Sequence, residues 1–207
     1  MDNKSNIMEA ALDPSINDRI AARVRALRAD LGLSLDALAA ASGVSRSALS
    51  LIERAESSPT AVVLDKLAVG LRVPLAALFG DARAKTSAAP LARRAEQPVW
   101  KDPGSGYVRR SVTPDGHGAP MQIVEVTFPA GARVAYETGP RDHVVHQQVW
   151  VLDGTIEISV GASTHRLQVG DCLAMRLDAP TVFHNPTRKA TRYAVVVVAE
   201  PSGRRSA

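Results

Sequence analysis

In the stretch Ala37–Ser58, ALAAASGVSRSALSLIERAESS, two short apolar-periodic segments meet at a glycine, and the second opens on Ser45-Arg46-Ser47. A helix that buries one face has no use in its core for three polar residues at its start. Their chemistry is hydrogen bonding to something outside. With Leu49 and Ile52 turned inward, the outer face and leading end carry Ser45, Arg46, Ser47, Ser50, Leu51 and Arg54. A guanidinium such as that of Arg46 donates two hydrogen bonds to a guanine edge. Ser47 and Ser50 are suited to bases or phosphates, and Leu51 to a thymine methyl. Arg54 and Arg28 are expected on phosphates, where a cation positions a protein without reading sequence.

Such a helix must be held by a second one at a fixed angle, and the flanking residues meet that demand. Leu38 and Val44 anchor the pair, Ala39 is small at the crossing, and Gly43 supplies the turn. Around them a helical period runs from residue 16 to residue 80. Ile16, Ile20, Val24, Leu27 and Leu31 form one stripe, with Arg19, Arg23, Arg25 and Arg28 mostly off it. Ser34 caps a second helix and Ser45 a third. Pro59-Thr60 opens a fourth with Leu64, Leu67, Ala68 and Leu71 inward, and a fifth is predicted from about Pro74 to Phe79. The prediction is a five-helix, all-α domain.

The segment 81–97 is small, polar and basic, without an apolar period, and reads as a linker with one loose helical turn. From about residue 98 to residue 200 the period becomes that of strands: MQIVEVTF, HQQVWVLDGTIEISV, HRLQVGDCLAMRL and RYAVVVVAE, separated by turn formers. Many short strands at regular spacing predict a sandwich or barrel. Residues 1–15 and 201–207 read as tails.

The 207-residue chain carries a formal charge of +4, but residues 1–80 hold nine Lys/Arg and nine Asp/Glu. The excess sits in the linker and the Arg204-Arg205 tail, so bulk charge makes no case for nucleic acid. The longest strongly apolar run, Ala194–Ala199, is too short to span a bilayer, and the start lacks a signal-peptide core. With one cysteine, Cys172, read as an inert core residue, the expectation is a cytoplasmic protein in a reducing compartment, with no membrane partner.

LSLDALAAASGVSRSALSLIERAESSPT resembles the XRE-type, phage-repressor-like helix-turn-helix, over residues 16–80. That resemblance implies a sequence-specific transcriptional regulator whose second helix of the pair enters the major groove of an operator. Two departures stand out. Leu35 replaces a glutamine often used on the DNA backbone, and Ala55 replaces a glycine after the Glu53-Arg54 pair. Alanine in a left-handed cap costs about 1 kcal/mol, so helix three is expected to run on by part of a turn.

The β half resembles a cupin, through VWVLDGTIEISV with Gly154 at a hairpin and VGDCLAMRLDAPTVFHN with Gly170-Asp171 at a turn. Where many cupins place two His and a Glu and then a third His, this chain has Arg141, His143, Gln147 and His184. Alternation puts residues 141, 143, 145, 147, 149 and 151 on one face, with His146 outward. Gln is a weak neutral donor and Arg repels a divalent ion. Three readings remain: a metal site, a barrel plugged by His143 and His184, and a small-molecule pocket in which Arg141 favours an anionic effector. The expectation is no metal, no cofactor and no enzyme. The chain is read as a homodimeric regulator on double-stranded DNA whose β half senses a small molecule, dimerises, or both. The rivals are a metal-dependent cupin oxygenase or isomerase with a DNA tether, and a protein-interaction module.

Overall fold

The computed structural model describes residues 14–80, 89–116, 120–137 and 144–199. Four α-helices lead: α1 Pro14–Asp30, α2 Leu35–Ser42, α3 Arg46–Glu53 and α4 Ala61–Gly70. Ser34, Ser45 and Thr60 stand just before the last three and accept from the backbone N–H of Ala37, Ala48 and Val63, so each helix starts where a side chain satisfies an otherwise orphaned donor. Ile20, Val24, Leu38, Leu49, Ile52, Leu64, Leu67 and Leu78 fill one fully buried core.

The predicted fifth α-helix is instead a five-residue 3-10 segment, Leu75–Phe79. Pro74 begins it and Gly80 ends it, leaving too little chain for an α-type ladder to propagate. Among the described residues the helical half therefore has four α-helices and not five. Leu31, expected on the buried stripe, falls one residue past α1. There Gly32 turns the chain at φ +64° and leaves the leucine exposed.

Ten strands follow: β1 Val99–Lys101, β2 Val108–Ser111, β3 Met121–Phe128, β4 Arg133–Tyr136, β5 Val145–Asp153, β6 Thr155–Val160, β7 Ser163–Gln168, β8 Cys172–Arg176, β9 Thr181–His184 and β10 Thr191–Ala199. They form two antiparallel sheets, ordered β1-β2-β3-β10-β5-β8 and β4-β9-β6-β7. Among the described residues no ladder joins the two, so the arrangement is a sandwich and not the closed barrel expected. The reason lies at Gly154. The alternation predicts a hairpin there, yet β5 pairs with β10 and β8 while β6 pairs with β7 and β9. Gly154, at φ +80°, carries the chain from one sheet to the other, and a Cβ on it would lie 3.0 Å from Thr191 Oγ1. Only glycine meets both demands.

The two halves share one hydrophobic cluster. Seven of the eight aromatic side chains form a single chain of ring contacts. It runs Phe79–Trp100–Tyr107–Phe128–Tyr193–Phe183–Tyr136, with centroids 5.4 to 6.3 Å apart. It starts in the helical half and ends inside the sandwich. Polar groups seal the same junction. Buried Asp102 accepts from Ala61 N at 2.9 Å at the start of α4, and Arg19 pairs with Asp115.

Candidate nucleic-acid interface

The α2–α3 turn is built from three small residues. Gly43 takes φ +67° and its N–H donates to Ala39 O. The buried Ser42 hydroxyl donates to Leu38 O at 2.7 Å and accepts from Val44 N at 3.3 Å, tying the turn to both helices. A Cβ on Gly70 would lie 2.9 Å from Ser42 Cβ, so α4 crosses α2 closely at this point. The contributions of Ser42 and Gly70 have no local sequence signature, because each depends on the other's position.

On this platform Leu49 and Ile52 are buried, and Arg46, Ser47, Leu51 and Arg54 are exposed. Ser45 caps α3, and its hydroxyl lies 3.2 Å from that of Ser47. Arg46 stands at the first helical position, with Nε 3.1 Å from Asp36 Oδ1; both side chains are mostly exposed, so the pair is weak and exchangeable. Leu51 is 39% exposed. Arg54 is occupied: both Glu56 oxygens accept from it at 2.8 Å, and it donates to Ser50 Oγ. Those bonds raise the Arg54 pKa and lower that of Glu56.

Arg28 has a different role from the phosphate contact expected. Its Nε and Nη2 donate to Glu53 Oε1 and Oε2 at 2.6 and 2.8 Å, and Nη1 donates to Leu33 O at 2.8 Å. Glu53 is buried, and its carboxylate holds the Arg28 pKa above its ordinary value. The pair ties α1 to α3 from inside. A glutamate directly after an inward isoleucine was the available signal, since a buried carboxylate needs a cation.

Helix α3 ends at Glu53 and does not run on. Ala55 adopts φ +58°, Ala55 N donates to Ile52 O at 3.0 Å, and Glu56 N donates to Leu51 O at 2.9 Å. This is the double hydrogen bond of a left-handed helix stop, made here by alanine despite its conformational cost. Leu35 packs partly against the core, so the missing glutamine is replaced by an apolar contact.

A second site lies in the sandwich. A cavity of about 100 Å³ is walled by Tyr107, Phe128, Tyr136, Phe183 and Tyr193 and by valines of β3 and β10, with Arg109, Gln147 and Thr181 among its polar groups. Asp65 of α4 and Pro74, Leu75 and Ala76 close it from the helical side. Gln147 reaches it because β5 alternates Val145, Gln147, Val149 and Val151 inward. Burial raises the Tyr107 pKa to about 12 and pushes those of Tyr136 and Tyr193 well above the usual phenol value.

His184 is not part of this wall. On β9 Thr181 and Phe183 point inward, so His184 takes the outer face, where Nδ1 lies 3.5 Å from Glu157 Oε2. Gln147 and His184 therefore face different ways and do not meet in one site. Arg141 and His143 lie outside the described residues. Cys172, read as a core residue, is exposed on the outer face of the larger sheet, opposite Trp150.

The helix-turn-helix family profile matches residues 24–78. Over 162 residues the chain is 28% identical to the HTH-type transcriptional regulator SutR of Escherichia coli strain K12, covering 78% of this chain and 84% of that one. A solved HTH_3 family transcriptional regulator from Vibrio cholerae superposes with a TM-score of 0.70 at 26% identity, over 91% of this chain and 99% of that one. The cupin domain of an XRE family transcriptional regulator from Enterobacter cloacae matches 46% of this chain and 97% of its own, at 15% identity and a TM-score of 0.41.

The α2–α3 geometry and the profile match show the helical half to be a helix-turn-helix domain of the XRE type. Over most of its length the chain is similar to transcriptional regulators. No described helix is long and apolar enough to cross a membrane.

Proposed function

We propose that the chain is a homodimeric, sequence-specific regulator that reads an operator with α3 and senses a small molecule in the β half. The observation that carries this is the division of α3 into a buried face, Leu49 and Ile52, and an exposed polar one led by Ser45-Arg46-Ser47. Arg46 reads guanine, Ser47 and Ser50 reach bases or phosphates, and Leu51 meets a thymine methyl. Arg54 takes a phosphate by exchanging Glu56 for it.

One small domain contacts too little DNA for tight binding, so two copies on half-sites about one helical turn apart are expected. The outer face of the larger sheet supports pairing: Met121, Ile123 and Trp150 are exposed on it, and Trp150 is the one aromatic outside the interior chain. The cavity has walls from both halves, so its occupant is placed to change the tilt of the recognition helices. It is a binding cavity in this reading and not a catalytic one.

Selection of binding sites from a random DNA pool tests the proposal. The expected product is a two-fold repeat with half-site centres about one turn apart; absence of enrichment overturns it. Gel filtration of Trp150→Glu tests the pairing surface, with a shift from dimer to monomer expected and an unchanged dimer ruling that surface out.

A further inference from the structure

We infer that the interdomain cavity is a site for a small apolar carboxylate, anchored by Arg109. This rests on the proposal that the β half senses a small molecule, and it names the chemistry of that molecule. Arg109 is 6% exposed and lines the cavity. Its only described hydrogen bond runs from Nη1 to Ser111 Oγ at 3.2 Å, and its guanidinium carbon sits 4.0 Å from the centre of the Phe79 ring. Both partners are neutral. Asp65 of α4 also lines the cavity and has its own partner.

A guanidinium in an apolar surround is costly without a counter-charge. Burial lowers its pKa to about 10, which still leaves it charged at neutral pH. A carboxylate entering the cavity supplies the missing charge, and the fork of an arginine holds it by two parallel hydrogen bonds. Apart from Asp65, Gln147 and Thr181, the rest of the wall is mostly aromatic and aliphatic, which suits a short hydrocarbon body. Size sets the limit: an apolar cavity of about 150 Å³ admits benzene. A space of about 100 Å³ is smaller than that and suits roughly four to five heavy atoms, the size of acetate or propionate.

Thermal unfolding and calorimetric titration of the full chain, without DNA, test this. Acetate and propionate are expected to raise the unfolding temperature and to bind, whereas propionamide, of the same shape as propionate without the charge, leaves both readouts unmoved. Arg109→Gln is expected to weaken acid binding by about 10- to 100-fold, and Arg109→Lys to recover part of it. Equal effects of acid and amide, no binding of either acid, or full binding by Arg109→Gln would each overturn the assignment. The acid–amide comparison on the unmodified chain stands even if a variant fails to fold. Operator binding is measured separately without acid, so loss of the regulator reading and loss of the carboxylate site give different results.

Discussion

Arg46 and Arg109 put the same side chain to opposite uses. Arg46 stands in water at the tip of α3, held loosely by Asp36. Arg109 lies inside the protein over an aromatic ring, with one hydroxyl as hydrogen-bond partner. The exposed cation costs nothing to keep and contributes little to folding. It stays hydrated until a partner replaces that water. The buried one has already lost its water during folding, so a matching anion meets a prepared site. The contrast teaches that one guanidinium can be left hydrated and exchangeable on a surface while another is desolvated by folding.

The comparison can be sharpened, beginning with the cation that looks like Arg46 in sequence and behaves as an interior group. Glu53→Ala leaves Arg28 without its carboxylate partner and is expected to destabilise the helical half by about 3 kcal/mol, measured by urea unfolding. A change below the scatter of surface substitutions would show the pair to be incidental. Alkaline titration probes the interior next. All three tyrosines have folded-state pKa values raised by burial, so the folded state holds its phenolic protons more tightly than the unfolded one. That stability is fully present below pH of about 10 and is lost as pH rises from about 10 toward about 12. Phenolate absorbance is expected to appear only with unfolding, and phenolate forming early in an intact fold would contradict the burial.

Arg46→Ala is expected to lower affinity by about 1–3 kcal/mol at one base position with the unfolding midpoint unchanged. DNA affinity that stays level would favour a protein partner for α3. The smallest effect concerns the helix stop. Ala55→Gly removes the strain of φ +58° and is expected to stabilise by about 1 kcal/mol, seen as a higher unfolding midpoint.

The helical half was largely legible because its determinants are local. Cap residues, stripe spacing and the turn glycine all act within a few positions of one another, and α2, α3 and α4 start at the residues the caps indicate. Arg28 misled because an arginine off the apolar stripe looks solvated until Glu53 arrives from another helix. In the β half the alternation was legible, but the sheet to which each strand belongs was not. His184 shows the consequence: its distance from Gly170 says nothing about which face of β9 it occupies.

By itself the sequence determined the helix-turn-helix, the change of period from helix to strand, and the polar leading edge of α3. These follow from hydrogen-bonding and apolar patterns over a few residues. Only the tertiary structure decided that Gly154 is a corner between sheets, that Arg109 lines the cavity, and that helical and β walls enclose it together. Each of those depends on segments far apart in the chain meeting in space, and no local pattern encodes such a meeting.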